Sequence, residues 1–181
     1  MSLPSDSALS VPPPDAPKPE DRDLQALRSV FVLAAEARAA GRHPFAARVI
    51  GEDGRVLAEA INDSMPPGGD PTCHAERLAA AQAARASSAA ALRKATLYTN
   101  AEPCAMCAGA IYWCGIGRVV YGLAETGLLA LTGNHPENPT LALPCREVFA
   151  GGQRATVVIG PCLEDEARVA HQDFWHKERP S

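Results

Sequence analysis

His74 and Glu76 are separated by one residue. Cys104 and Cys107 are separated by two, with Pro103 just before the first cysteine. One imidazole and two thiolates make three good ligands for a tetrahedral zinc ion, and three protein ligands leave the fourth position open for water. Cysteines three residues apart on a helical turn face their sulfurs to one point. Pro103 suits the entry to such a helix, where its missing N–H costs nothing, and a helix N-terminus favours thiolate over thiol. Glu76 lies close enough to His74 to reach zinc-bound water without being a ligand. Zinc lowers the pKa of that water to about 7, and a neighbouring carboxylate can take the proton and pass it on. Hydrolytic deamination needs this set: hydroxide to attack an amidine carbon, and one group to protonate a ring nitrogen and then departing ammonia.

A lone H-x-E arises by chance, and a lone C-x-x-C is as well explained by a redox pair or a structural site. The two together, in this order and 30 residues apart from His74 to Cys104, match the zinc deaminase signature. Three plainer readings compete. Independent core residues would need no metal. A closed structural zinc site would have to recruit Cys73, but adjacent side chains cannot easily bind one ion. A thioredoxin-like pair would have no use for an upstream His-x-Glu.

Both motifs need helix starts to carry them. The stretch from Ala75 to Ala91 holds ten alanines in 17 residues, which favours one helix, and residues 104–114 read as a short apolar helix. Leu24, Leu27, Phe31, Ala34 and Arg38 recur at helical steps through 21–41, with Gly41 as a stop. FAARVIGEDGRVLAEAI reads as two strands joined at Asp53–Gly54, and 62–72 as a loop. ATLYTNA, GRVVYG and ATVVIG are further strands. Residues 125–152 read as a helical turn, irregular chain and a short helix, and 163–176 as a closing helix with Leu163, Ala167, Ala170 and Phe174 on one stripe. Strands alternating with helices imply crossover connections and a partly parallel sheet. The expected fold is α/β: a three-layer α/β/α sandwich around a five-stranded mixed sheet.

The 181 residues suit one domain. Residues 1–20 hold six prolines and no aromatic residue, so they read as a disordered tail, leaving 21–181 as the zinc-dependent domain. The net charge is −4. Asp6, Asp15 and Glu20 against Lys18 give the tail −2, so the domain carries −2 as well, which argues against a nucleic-acid partner. Six cysteines in a chain without a secretory signal do not form a disulfide framework. No apolar run approaches the roughly 18 residues of a membrane span. These features point to a cytoplasmic protein. Cys73, Cys114, Cys145 and Cys162 read as buried thiols or bystanders.

From about Ala26 to Tyr121 the chain resembles the cytidine deaminase-like superfamily, in the branch with guanine deaminases and bacterial tRNA adenosine deaminases. HPFAARVI, DPTCHAERLAA and ATLYTNAEPCAMCAGAIYWCGIGRVVYG carry the likeness. It implies zinc held by His74, Cys104 and Cys107, Glu76 as proton shuttle, and a homodimer or larger assembly. Pro44-Phe45 and Ile111-Tyr112-Trp113 look like guanine deaminases, where aromatic residues enclose a free base. After Tyr121 the likeness to the tRNA enzymes fades.

The substrate contacts are expectations of the same kind. The family places a substrate-binding Asn near Asn62, although one residue closer to the histidine than here. Phe45 and Trp113 fit a pocket wall or plain core equally. Glu125 fits a hydrogen bond to a base edge or a solvated helix start. Phe174 and Trp175 fit helix packing or an aromatic cover over the site. The resulting expectation is hydrolytic deamination of a small nucleobase or nucleoside, guanine-like purines first. A tRNA adenosine-to-inosine editing enzyme and a cytosine- or triazine-type deaminase are the alternatives.

Overall fold

The computed structural model describes residues 17–65, 68–133 and 135–175. Twelve elements follow in the order α1 (Asp21–Ala39), β1 (Ala46–Ile50), β2 (Val56–Ile61), α2 (Ala75–Ala86), α3 (Ala89–Lys94), β3 (Thr96–Ala101), α4 (Ala105–Cys114), β4 (Arg118–Leu123), α5 (Glu125–Thr132), α6 (Cys145–Ala150), β5 (Val157–Ile159) and α7 (Glu164–Arg168). The strands form one five-stranded sheet in the order β2-β1-β3-β4-β5. β1 is antiparallel to β2 and β3. β3, β4 and β5 run parallel. The expected five-stranded mixed sheet is present.

Strand side chains alternate between two layers, as the pleat requires. Ala47, Val49, Leu97, Val119 and Val158 face a core shared with α2 and α4. Ala46, Tyr98, Val120 and Ile159 face the opposite core, built on Leu27, Val30 and Ala34 of α1. On that second side Asp23 is fully buried. Its carboxylate accepts from the backbone N–H of Glu20 at 2.8 Å, from the Tyr98 hydroxyl at 2.8 Å and from both Arg118 Nη atoms at 2.6 Å. One side chain therefore caps α1 and ties it to β3 and β4.

Two helices differ from the sequence reading. The alanine run does not continue through 91: the chain turns extended at Ser87, and Ser88 starts α3 by accepting the Ala91 N–H on its hydroxyl at 3.2 Å. A serine acceptor at an N-cap outweighs the alanines' helix preference. The closing helix ends at Arg168 rather than reaching 176. Beyond it, Arg38 Nη1 donates to the carbonyls of Val169, Ala170 and Gln172 at 3.4, 3.0 and 2.6 Å, satisfying groups that a continuing helix would have used. The turns that follow bury His171 and Trp175. The expected tail at 1–20 lies mostly outside the described residues. Where it is described, Glu20 is already the N-cap of α1.

Candidate active site

The carboxyl ends of β3 and β4 open onto the starts of α2 and α4, the place where parallel sheets present ligand sites. His74 is the N-cap of α2 and Cys104 the N-cap of α4. The loop before α2 is held by Asp70, whose carboxylate accepts from the Thr72 N–H at 2.7 Å and hydroxyl at 2.8 Å, while its carbonyl accepts from the Cys73 N–H at 2.7 Å. At the far end of α4, Gly115 takes φ +77° and closes the helix by donating to Tyr112 O at 3.0 Å, a left-handed stop that glycine adopts without strain.

His74, Cys104 and Cys107 bring their donor atoms within 4.8 Å of one another, a group that could hold a metal ion. The His74 Nδ1 to Cys104 Sγ separation is 3.6 Å. Usual zinc–nitrogen and zinc–sulfur bonds at tetrahedral angles set such an edge at about 3.5 Å, so the donor set fits zinc in chemistry and in span. The Cys104 thiol is drawn down to about 4, first by the hydrogen bond from Cys107 and then, against burial, by His74. Cys107 is pushed up by its hydrogen bond to Cys104, by burial and by Glu76. His74 is raised, chiefly by its hydrogen bond with Cys104.

Glu76 is buried, and burial raises its pKa. Its Oε1 accepts the Thr99 hydroxyl at 3.1 Å, and its Oε2 lies 3.6 Å from Cys107 Sγ. It adjoins the ligand group without belonging to it. A cavity of about 1060 Å³ opens beside these residues. Glu76, Glu102, Glu125 and Glu137 line it, and no Lys or Arg does among the described residues. Burial, then Glu102, pushes Glu125 up to about 7.

Of the other expected contacts, Phe45, Asn62 and Glu125 line the cavity. Asn62 is buried, and its Oδ1 accepts from Ser64 N–H at 3.0 Å and Ser64 Oγ at 2.7 Å. Trp113 is not on the cavity surface; it is 77% exposed, two residues past the buried Ile111 of α4. Phe174 and Trp175 do not line the cavity either. Trp175 stands behind its wall, with ring centroids 5.1 Å from His43 and 6.0 Å from Phe45, and Phe174 lies 6.0 Å from His43. Burying Trp175 in that cluster places it where an open cover could not be.

Several site groups escape the sequence reading. Glu102 is buried, and its two oxygens accept the N–H groups of Cys145 at 3.1 Å and Glu125 at 3.2 Å. It thereby anchors the starts of α5 and α6 beside the start of α4. Its place between a strand end and Pro103 was a readable signal. His43 and Glu137 also line the cavity, and nothing local in the sequence links positions 94 residues apart.

The family model for the cytidine and deoxycytidylate deaminase zinc-binding region matches residues 20–123. The chain belongs to this deaminase family. It is 39% identical over 155 residues to a probable cytosine deaminase of Schizosaccharomyces pombe, covering 86% of this chain and 93% of that one. It is 42% identical over 101 residues to a guanine deaminase of Bacillus subtilis, covering 55% of this chain and 64% of that one. tRNA-specific adenosine deaminases are also among its relatives. A crystal structure in complex with 2,6-diaminopurine superposes with a TM-score of 0.66 at 26% identity, covering 91% of this deaminase and 90% of that chain. The deaminase is thus a hydrolase of C–N bonds with the cytidine deaminase fold, and it carries the family's zinc-binding region. Among the described residues no helix is long and apolar enough to cross a membrane.

Proposed function

We propose that this deaminase acts on a small free nucleobase, with a guanine-like purine as first substrate. The observation that carries the reading is the character of the cavity: carboxylates and apolar groups line it, and among the described residues no lysine or arginine stands ready for phosphate. A nucleotide or RNA backbone would meet repulsion there, and a net charge of −4 offers no compensating field. The purine-bound structural neighbour and the guanine deaminase relative favour the purine. Cytosine is the second reading, supported by the relative that matches over most of both chains.

In this reading His74, Cys104 and Cys107 hold zinc and Glu76 is the proton shuttle. A bound zinc ion supplies Lewis acidity and an acidified water. Glu76, oriented by Thr99, would carry a first proton to the ring nitrogen beside the reacting carbon, then take a second from the hydroxyl added at that carbon and pass it to the departing ammonia as the C–N bond breaks. Ser64 occupies Asn62 Oδ1, so the Asn62 amide N–H2 is left to donate to a base carbonyl. Phe45 supplies an apolar face, and Glu125 accepts from or donates to a base edge.

Ammonia release from guanine, cytosine, their nucleosides and a tRNA anticodon stem-loop tests the reading. Turnover of a free base with little change between low and physiological salt is expected. Efficient deamination of the stem-loop with inert bases would overturn it in favour of tRNA editing.

A further inference from the structure

Between α5 and α6, residues 135–143 form one wall of the cavity through Pro136, Glu137, Asn138, Pro139 and Leu141. The helices on either side of this strap both start on the Glu102 carboxylate. Two prolines stiffen it by fixing φ, and Asn138 N–H closes a turn on His135 O at 3.0 Å. At its middle, Glu137 Oε2 lies 3.0 Å from His43 Nε2.

His43 is buried and reaches a second group on its far side. Its Nδ1 is 3.4 Å from Ser64 Oγ, and that hydroxyl donates to Asn62 Oδ1 at 2.7 Å. With the Ser64 hydrogen committed to Asn62, His43 Nδ1 donates to Ser64 Oγ, and a second hydrogen bond joins its Nε2 to the Glu137 carboxyl group. Hydrogen bonds run without a break from the strap to Asn62. Ser64 N–H also donates to Asn62 Oδ1 at 3.0 Å, so the amide cannot flip without losing two bonds.

We propose that Glu137, His43 and Ser64 form a positioning relay that fixes the Asn62 amide and latches the 135–143 strap to it, so that base binding at Asn62 and closure of the strap reinforce each other. The proposal rests on the free-base reading above for its substrate. The relay itself rests on the hydrogen bonds alone. Coupling of this kind is reciprocal: whatever tightens Asn62 must tighten the strap by the same factor.

Amide hydrogen exchange on the full chain tests the latch without substrate. Glu137→Ala should speed exchange in 137–143 on the order of tenfold while β3 stays protected. Ser64→Ala, altered 70 residues or more from the strap, should speed the same amides. Strap exchange unmoved by Ser64→Ala would overturn the relay. With guanine and cytosine as probes, both variants should raise KM more than they lower kcat, and the double variant should lose less than the product of the two. Multiplicative losses would overturn the coupling. An inactive wild type with coupled exchange would instead count against the substrate reading and leave the relay standing.

Discussion

Glu76 and Thr99 show how little separates a catalytic carboxylate from a structural one. Glu76 lies in the first turn of α2, where a negative charge is worth under about 1 kcal/mol to the helix dipole. Its burial and its bond from Thr99 go beyond that role. Glu76→Gln keeps shape and hydrogen bonding but cannot carry a proton. Zinc content and fold should be normal by metal analysis and circular dichroism, while kcat falls at the upper end of the roughly 10²–10⁴-fold range of general acid–base catalysis or beyond. Cys104→Ala makes the contrast, since it should lose the zinc and, with it, the shared anchor of two helix starts. Near-normal turnover in Glu76→Gln would return that side chain to a capping role.

Among the elements, α5 and α6 depend on one group in β3–α4. A carboxylate can accept from both Glu125 and Cys145 N–H, whereas an amide has one acceptor oxygen and turns a donor toward the other. Glu102→Gln should therefore cost about 1–3 kcal/mol, read as a lower denaturant midpoint with an unchanged slope. The parts of the architecture that sequence made legible share a property: their signals are local. Alternation in ATLYTNA and GRVVYG marks strands, and H-x-E with P-C-x-x-C marks two helix starts. Where the decisive partner is distant, the sequence is silent. Nothing near residue 169 announces that Arg38 will take its carbonyl. Nothing near Phe174 and Trp175 shows that they will pack behind His43 instead of over the site. Ser88 is the intermediate case, a cap in plain view but outvoted by ten alanines. Trp113 belongs to a motif that suggests a pocket wall, yet helical geometry turns it to solvent.

For the whole molecule, His171 and Asp23 weaken the fold in acid, while Glu125, raised to about 7, works the other way between pH 7 and its unfolded value of about 4.3. Burial lowers His171 to about 3, helped by the charges of Arg38 and His43, so protonation favours the unfolded chain once pH drops below its unfolded value of about 6.5. The His171 contribution to stability should fall progressively from there toward pH 3. Asp23 adds a lower window. Burial pushes its carboxyl up, but the bonds from Arg118, Glu20 and Tyr98 win and hold it at about 2. Its contribution is present above the unfolded value of about 3.9 and is lost as pH falls through 2. Chemical denaturation at several pH values should show this, with a slope from one histidine of up to about 1.4 kcal/mol per pH unit. His171→Gln should flatten the upper window and leave the lower one. An unchanged slope between pH 6 and 4 would remove His171 as the cause.

The grip of Arg38 on residues 169–172, across more than 130 positions of sequence, bears on how the chain comes off the ribosome. Asn100 Nδ2 meets His171 Nε2 at 3.1 Å, while the same amide holds Pro44 and Ala46. An emerging chain that has made all five strands still lacks the imidazole that completes this buried amide and the indole that backs His43. Vectorial synthesis therefore leaves the cavity open at the rear until residues 171–175 clear the exit tunnel. By then His74, Cys104 and Cys107 are already translated, and the contact that closes the rear joins the first helix to the turns at 169–172.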